Sequence, residues 1–172
     1  AGKVLEEEMG LTVNREKTHI TRLEDGVKYL EVVIFRKHTL IQEKKVEAFK
    51  EKVRKLTKRN GGKPLRAVVQ ELNPVLRGYA NYFRIANCLK VFRMLMGWIR
   101  RRLRAIQLKL WKTPGRLHRR LRQLGYRSEF KSIKMSAWRS ARSPLAAMAM
   151  PNTFFDELKL FNLERVQVAI SV

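Results

Sequence analysis

The residues best equipped for chemistry in this chain are arginines set at helical spacing with no acid beside them. Arg77, Asn81 and Arg84 recur at i, i+4 and i+7, Arg93, Arg100, Arg101 and Arg104 follow, and Arg116, Arg119, Arg120 and Arg122 crowd one short segment. From Leu72 to Ser128 there are fifteen lysines and arginines and no aspartate or glutamate, interleaved with Tyr79, Tyr82, Phe83, Phe92, Trp98 and Trp111. A guanidinium presents a planar fork of N–H donors that fits phosphate oxygens. The chemistry on offer is therefore the binding of a polyanion, with phosphate backbone as the natural counter-charge. The expected phosphate-contacting set is Arg77, Asn81, Arg84, Arg93, Arg100, Arg101, Arg104, Arg116, Arg119, Arg120 and Arg122. Tyr82 joins it because it lies off the apolar stripe, where its ring can stack on a base. The bland alternatives are a plain solvated face for the arginines and, for Asn81, a tie between two helices. For the arginines of the 93–104 segment, the lack of acidic neighbours in sequence argues against salt bridges.

Catalysis is less well provided for. Metal-assisted phosphoryl transfer needs paired carboxylates to hold Mg²⁺, and Glu24-Asp25 sits beside Gly26 in what reads as a turn, while Glu6-Glu7-Glu8 reads as a solvated helix face. Cys88 is the only cysteine, which rules out an intrachain disulfide and a thiolate-rich zinc site and favours a reducing compartment. His19, His38 and His118 lack ligand-type spacing. No catalytic residue, metal site or cofactor is expected in this chain. No stretch approaches the ~18 apolar residues that would cross a bilayer, so no membrane partner is expected. The chain opens on Ala1-Gly2-Lys3-Val4 without methionine, hence the expectation that it begins inside a longer protein.

A folded scaffold must display this charge, since apolar residues make up 45% of the 172 and recur with regular periods. The formal charge of +23 is uneven: residues 1–71 hold 17 basic against 11 acidic, residues 72–128 hold 15 against none, and residues 129–172 hold 6 against 4. Val4 to Gly10 reads as the end of a helix. Short strands are expected at Leu11-Thr12-Val13, Lys17 to Thr21, Val27 to Phe35 and Thr39-Leu40-Ile41, forming an antiparallel meander. From Glu43 the pattern is helical, with Val46, Phe49, Val53 and Leu56 on one face and Asn60-Gly61-Gly62 as the stop. Pro64 opens a second helix, and Asn73-Pro74 is expected to break it and cap a third carrying Leu76, Tyr79, Phe83 and Ala86. A long helix from about Leu89 to Trp111 turns Phe92, Leu95, Ile99, Leu103, Ile106 and Leu110 inward and leaves Arg93, Arg100 and Arg104 outside. Thr113-Pro114-Gly115 ends it, and Arg116 to Leu124 restarts a short helix. Beyond Gly125 the pattern weakens: a helical turn at Ser136 to Ser143, an apolar Pro144 to Met150, and an amphipathic Pro151 to Leu160 with Phe154, Phe155 and Leu158 inward.

The run Leu72-Asn73-Pro74-Val75-Leu76-Arg77-Gly78-Tyr79-Ala80-Asn81-Tyr82-Phe83-Arg84, with Lys90-Val91-Phe92 and Trp98-Ile99-Arg100-Arg101-Arg102-Leu103, resembles the maturase-specific domain of group II intron reverse transcriptases. Gly10 to Thr18 is similar to the strand pair after the catalytic strand of their palm, and Ser136 to Leu145 with Pro151 to Phe155 is similar to their C-terminal extension. The resemblance implies an α+β fold, mostly α: residues 1–42 as a palm remnant of short antiparallel strands, 43–125 as a thumb-like helical bundle bearing the maturase function, and 126–172 as a basic extension. It implies a protein that binds group II intron RNA and assists splicing and the retrohoming of a mobile element, with a DNA target as a second polyanion. The family's polymerase carboxylates lie before the Gly-Leu-Thr-Val-Asn segment, so Mg²⁺ is expected only in the intact polymerase. The alternative is the C-terminal part of an active RNA-directed DNA polymerase whose catalytic palm lies upstream. The location implied is a bacterial cytoplasm, with an organelle as the other option, and the oligomeric state is left open. One departure stands out: where the family has an aromatic-Leu-Gly-aromatic strand this chain has Tyr29-Leu30-Glu31-Val32, and strand alternation puts Glu31 on the side of Tyr29, Val33 and Phe35, so either that face is open or this copy has drifted from function.

Overall fold

The computed structural model describes residues 4–8, 10, 12, 14 and 21–167. The strands expected at Leu11-Thr12-Val13 and Lys17 to Thr21, and His19, lie largely or wholly outside the described residues. The fold is α+β and mostly α. A turn of π-helix, Val4–Glu8, precedes a three-stranded antiparallel sheet in the order β1 (Val27–Tyr29), β2 (Val32–Ile34), β3 (Thr39–Ile41). Six helices follow: α1 (Glu43–Leu56), α2 (Leu65–Phe83), α3 (Leu89–Trp111), α4 (Pro114–Gln123), α5 (Pro144–Ala149) and α6 (Asn152–Glu157). Single 3-10 turns occupy Trp138–Arg142 and Leu163–Arg165.

The expected strand from Val27 to Phe35 is instead a hairpin. Val27 pairs with Ile34 and Tyr29 with Val32, so Leu30 and Glu31 form a two-residue turn. Both have positive φ, 42° and 71°, the combination that two-residue hairpins require and that normally selects Asn-Gly. Glycine at position 31 suits this turn because it enters the left-handed region without a Cβ penalty. Glu31 is also neither buried nor unpaired, since it is half-exposed and forms an ion pair with Lys45 of α1. Exchange for glycine gives up that weak pair, worth about 0–1 kcal/mol, and relieves a left-handed backbone costing about 1–2 kcal/mol. Glu31→Gly is therefore expected to match or exceed the parent in a urea melt, whereas Glu31→Val should lose about 1–2 kcal/mol because a β-branched residue tolerates this φ worst. Equal midpoints for the two variants would contradict the turn geometry.

The sheet leans on the helices through backbone ties. Gln42 N–H donates to the Glu31 carbonyl at 3.1 Å, and Asn87 N–H, in the elbow between α2 and α3, donates to the Thr39 carbonyl at 3.0 Å. Beneath it, Phe49 stacks on Tyr79 with centroids 4.0 Å apart, and Tyr79 meets Phe83 and Phe92 at 4.7 and 6.0 Å. The α3 stripe is buried from Phe92 through Ile106, with Leu110 at its half-buried edge. Two leucines of α4, Leu117 and Leu121, complete the same core with Ala146, Ala149 and Phe155 from the later helices.

Asn73-Pro74 does not break the second helix. α2 runs unbroken through Pro74. Leu72, Leu76 and Tyr79 hold both halves against the core, and Pro74 and Gln70 are both exposed, so the carbonyl that Pro74 leaves without its N–H donor lies on the solvent side. The Asn73 amide does not cap a helix but clamps the later chain: its nitrogen donates to the Lys159 carbonyl and its oxygen accepts from Phe161 N–H, both at 2.8 Å.

Cys88 closes the elbow. It is fully buried and donates to the Phe83 carbonyl at 3.3 Å, and burial pushes its thiol up to about 11 from an ordinary value near 9. Tyr79 is raised as well, by burial first and then by Cys88. The folded state thus holds the Cys88 proton more tightly than the unfolded chain does, and stability falls as pH rises from about 9 through 11, by on the order of 2 kcal/mol for the thiol. Urea melts between pH 8 and 11 should show this fall, and Cys88→Ala should remove the thiol's share of it, leaving that of Tyr79 above about pH 10.

Candidate nucleic-acid interface

Three basic surfaces arise from three helices. On α2 the polar stripe faces solvent: Arg77, Asn81 and Arg84 are all exposed. Arg77 lies 5.7 Å from the centre of the Phe161 ring. Asn81 forms no tie between helices among the described residues. It lines, with Arg84, Phe161, Asn162 and Arg165, a cleft of about 510 Å³ between the C-terminal end of α2 and the last 3-10 turn. Tyr82 points elsewhere. It is 48% exposed, packs edge-on against Phe83, and donates its hydroxyl hydrogen to the Leu30 carbonyl of the hairpin turn at 3.4 Å. The structure therefore places Tyr82 on a different wall from Asn81 and Arg84.

On α3 the expected outer face is divided. Arg93 is exposed, Arg101 is half-buried, and neither has an ion pair among the described residues. Arg100, by contrast, is buried and forms a two-pronged salt bridge with Glu164, Nη1 to Oε1 at 3.0 Å and Nη2 to Oε2 at 3.2 Å. The expectation that these arginines lack acidic partners fails here, because the partner comes from 64 residues downstream. Arg104 donates from Nε to the Met150 carbonyl at 3.0 Å and lies over the Phe155 ring at 5.4 Å. Burial, followed by the nearby Arg100 charge, lowers its pKa from the ordinary arginine value, although a guanidinium stays charged throughout the physiological range. The reason is architectural: residues 138–165 fold back across α3, so the side opposite the aliphatic stripe meets protein instead of water.

On α4 the leucines face inward, and Arg116, Arg119 and Arg122, spaced by three, share the exposed side. Arg120 is half-buried and sits over the Phe154 ring at 5.9 Å. Arg93, Arg116, Arg119 and Arg122 are exposed and form no ion pair among the described residues, which leaves them free to take phosphate.

A fourth cluster was missed by sequence reasoning. The Arg102 guanidinium lies over two indoles, Trp98 at 5.2 Å and Trp138 at 4.6 Å, while Arg54 approaches Trp98 at 5.7 Å and Arg59 approaches Trp138 at 5.5 Å. Arg102 is fixed by Thr57, donating from Nε to Oγ1 at 2.6 Å and from Nη2 to the carbonyl at 3.0 Å. Burial, and then the Arg54 charge, lowers its pKa from the ordinary value. Half of this cluster was visible in the sequence, since Trp98 and Arg102 are an i, i+4 pair on one helix. The docking of Trp138 was not, because it depends on where an irregular segment returns.

Among the described residues no group of three or more His, Cys, Asp or Glu is placed to hold a metal ion, and no helix is long and apolar enough to cross a membrane. The arrangement offers phosphate-binding cations and aromatic faces.

A comparison with family models matches residues 46–125 to the group II intron maturase-specific domain. The match spans α1 to α4. No curated protein matches the chain.

Proposed function

We propose that this chain, whose residues 46–125 match the group II intron maturase-specific domain, binds group II intron RNA through the exposed arginines of α2, α3 and α4, holding the folded RNA so that splicing proceeds. The observation that carries the reading is the segregation of charge: between Leu72 and Ser128 there are fifteen cations and no carboxylate, and Arg77, Arg84, Arg93, Arg116, Arg119 and Arg122 are exposed. Like charges held this close on a rigid bundle repel one another, and a phosphate backbone relieves that repulsion while releasing its own counterions.

Arg100 and Arg104 act differently in this account. Arg100 holds Glu164 through both terminal nitrogens and Arg104 holds the Met150 carbonyl through Nε, so they secure the later chain against α3 and leave phosphate binding to their exposed neighbours. The reading is tested by filter binding of the chain to a group II intron RNA and to an unrelated structured RNA of equal length. Binding of the intron RNA at least tenfold tighter than the control is expected of a maturase surface, since specific recognition adds base and shape contacts to a common phosphate contribution. Failure to bind either RNA at moderate salt would sink the reading.

A further inference from the structure

The tryptophan and arginine cluster has a division of labour that points to a ligand. Arg102 is held by Thr57 through Nε and Nη2 and lies over both rings, so it acts as a rigid spacer that sets Trp98 and Trp138 in place. Around it, Arg101, Arg139 and Arg142 form no ion pair or hydrogen bond among the described residues, and with Arg102 and the two indoles they line a cleft of about 320 Å³. No carboxylate lines it. Trp138 remains 45% exposed at its mouth. An indole left open to water beside three guanidinium groups without ion pairs offers complementarity to a ligand with both a flat apolar face and negative charge.

We infer that this cleft holds an unpaired nucleotide of the bound RNA, its base packed against the open part of Trp138 and its flanking phosphates on Arg101, Arg139 and Arg142. The inference rests on the RNA-binding reading and adds strandedness to it. Only an unpaired base has a face free to meet an indole, because a base inside a helix is already stacked on its neighbours. Size agrees, since a cleft at the lower end of the ~300–1,000 Å³ typical of small-ligand sites admits one nucleotide and excludes a duplex. The exposed arginines of α4 make no such distinction in this reading and hold paired and unpaired RNA through phosphate alone.

The test uses the full chain and two labelled probes in fluorescence polarisation at one salt concentration: a single-stranded oligouridine of about 12 nucleotides, and an RNA duplex of the same length. Trp138→Leu should weaken oligouridine binding about tenfold, the size of one base stack, and change duplex binding less than twofold. Trp138→Phe, which keeps an aromatic face, should recover most of the loss, as a merely structural role for the indole would not require. Should Trp138→Leu fail to fold, the Arg139→Gln, Arg142→Gln double variant, altered only at exposed side chains, should show the same preference for losing the single strand. Equal losses on both probes, or undiminished oligouridine binding, would overturn the cleft assignment and leave RNA binding in place. Absence of binding to either probe by the unsubstituted chain would remove the RNA reading and this inference together.

Discussion

Glu164→Gln is expected to cost about 2–3 kcal/mol of folding stability, more than any substitution among the exposed arginines of α2, α3 or α4. The Arg100 side chain is 7% exposed and Glu164 is 30% exposed, so removing the carboxylate strands a cation in a place where water reaches it poorly. Breaking a buried pair in this way costs about 3–5 kcal/mol, and the partial exposure of Glu164 discounts that figure through solvent screening. No other protein partner compensates, since Arg100 Nε is already buried without an acceptor. Arg100→Leu should be milder than Glu164→Gln, because it replaces the buried charge with apolar volume and leaves only a half-solvated carboxylate behind. Urea melts of the two single variants and the Arg100→Leu, Glu164→Leu double variant would measure the coupling. A Glu164→Gln midpoint equal to the parent would mean that the pair does not hold the last 3-10 turn against α3.

That pair also shows where the sequence stops being informative. The local elements were legible because their signals are local: the 3.6-residue stripe of α3, the Gly61-Gly62 stop, and the Thr113-Pro114-Gly115 boundary each depend on a few adjacent residues. The mostly helical α+β class and the maturase-specific resemblance followed from the same stretch. Much of what escaped depends on interactions between residues far apart in sequence. Arg100 looked unpaired because no acid lies near it in sequence, and Asn73 looked like a cap because its clamp on Lys159 and Phe161 spans 86 and 88 residues. Glu31 looked buried because strand alternation was carried through a segment that in fact turns, and positive φ at Leu30 and Glu31 leaves no composition signal when neither is glycine. Within the candidate site, helical periodicity correctly separates Leu117 and Leu121 from Arg116, Arg119 and Arg122, but it cannot say which face of a central helix will later be covered.

Substituting Arg116, Arg119 and Arg122 together by glutamine should reduce RNA affinity more than any other change to the exposed surface, without loss of folding stability. All three are exposed, and the leucines that anchor α4 are untouched. Removing three phosphate-binding cations, at about 0.9 each for duplex-like sites, would flatten the plot of log K against log salt by about 2.7, or by about 2.1 on single strands at about 0.7 each. Binding should weaken alike for intron RNA and an unrelated structured RNA, because the phosphate backbone carries no sequence information. Arg104→Met, in contrast, removes a half-buried charge that is tied through Nε to the Met150 carbonyl and packed over the Phe155 ring, and should leave the slope unchanged while lowering the urea midpoint. The most direct test is a salt titration of these two variants beside the parent on both RNAs. The account predicts a flattened slope for the α4 triple variant and the parental slope for Arg104→Met; a parental slope for the triple variant, with a flattened one for Arg104→Met, would contradict it.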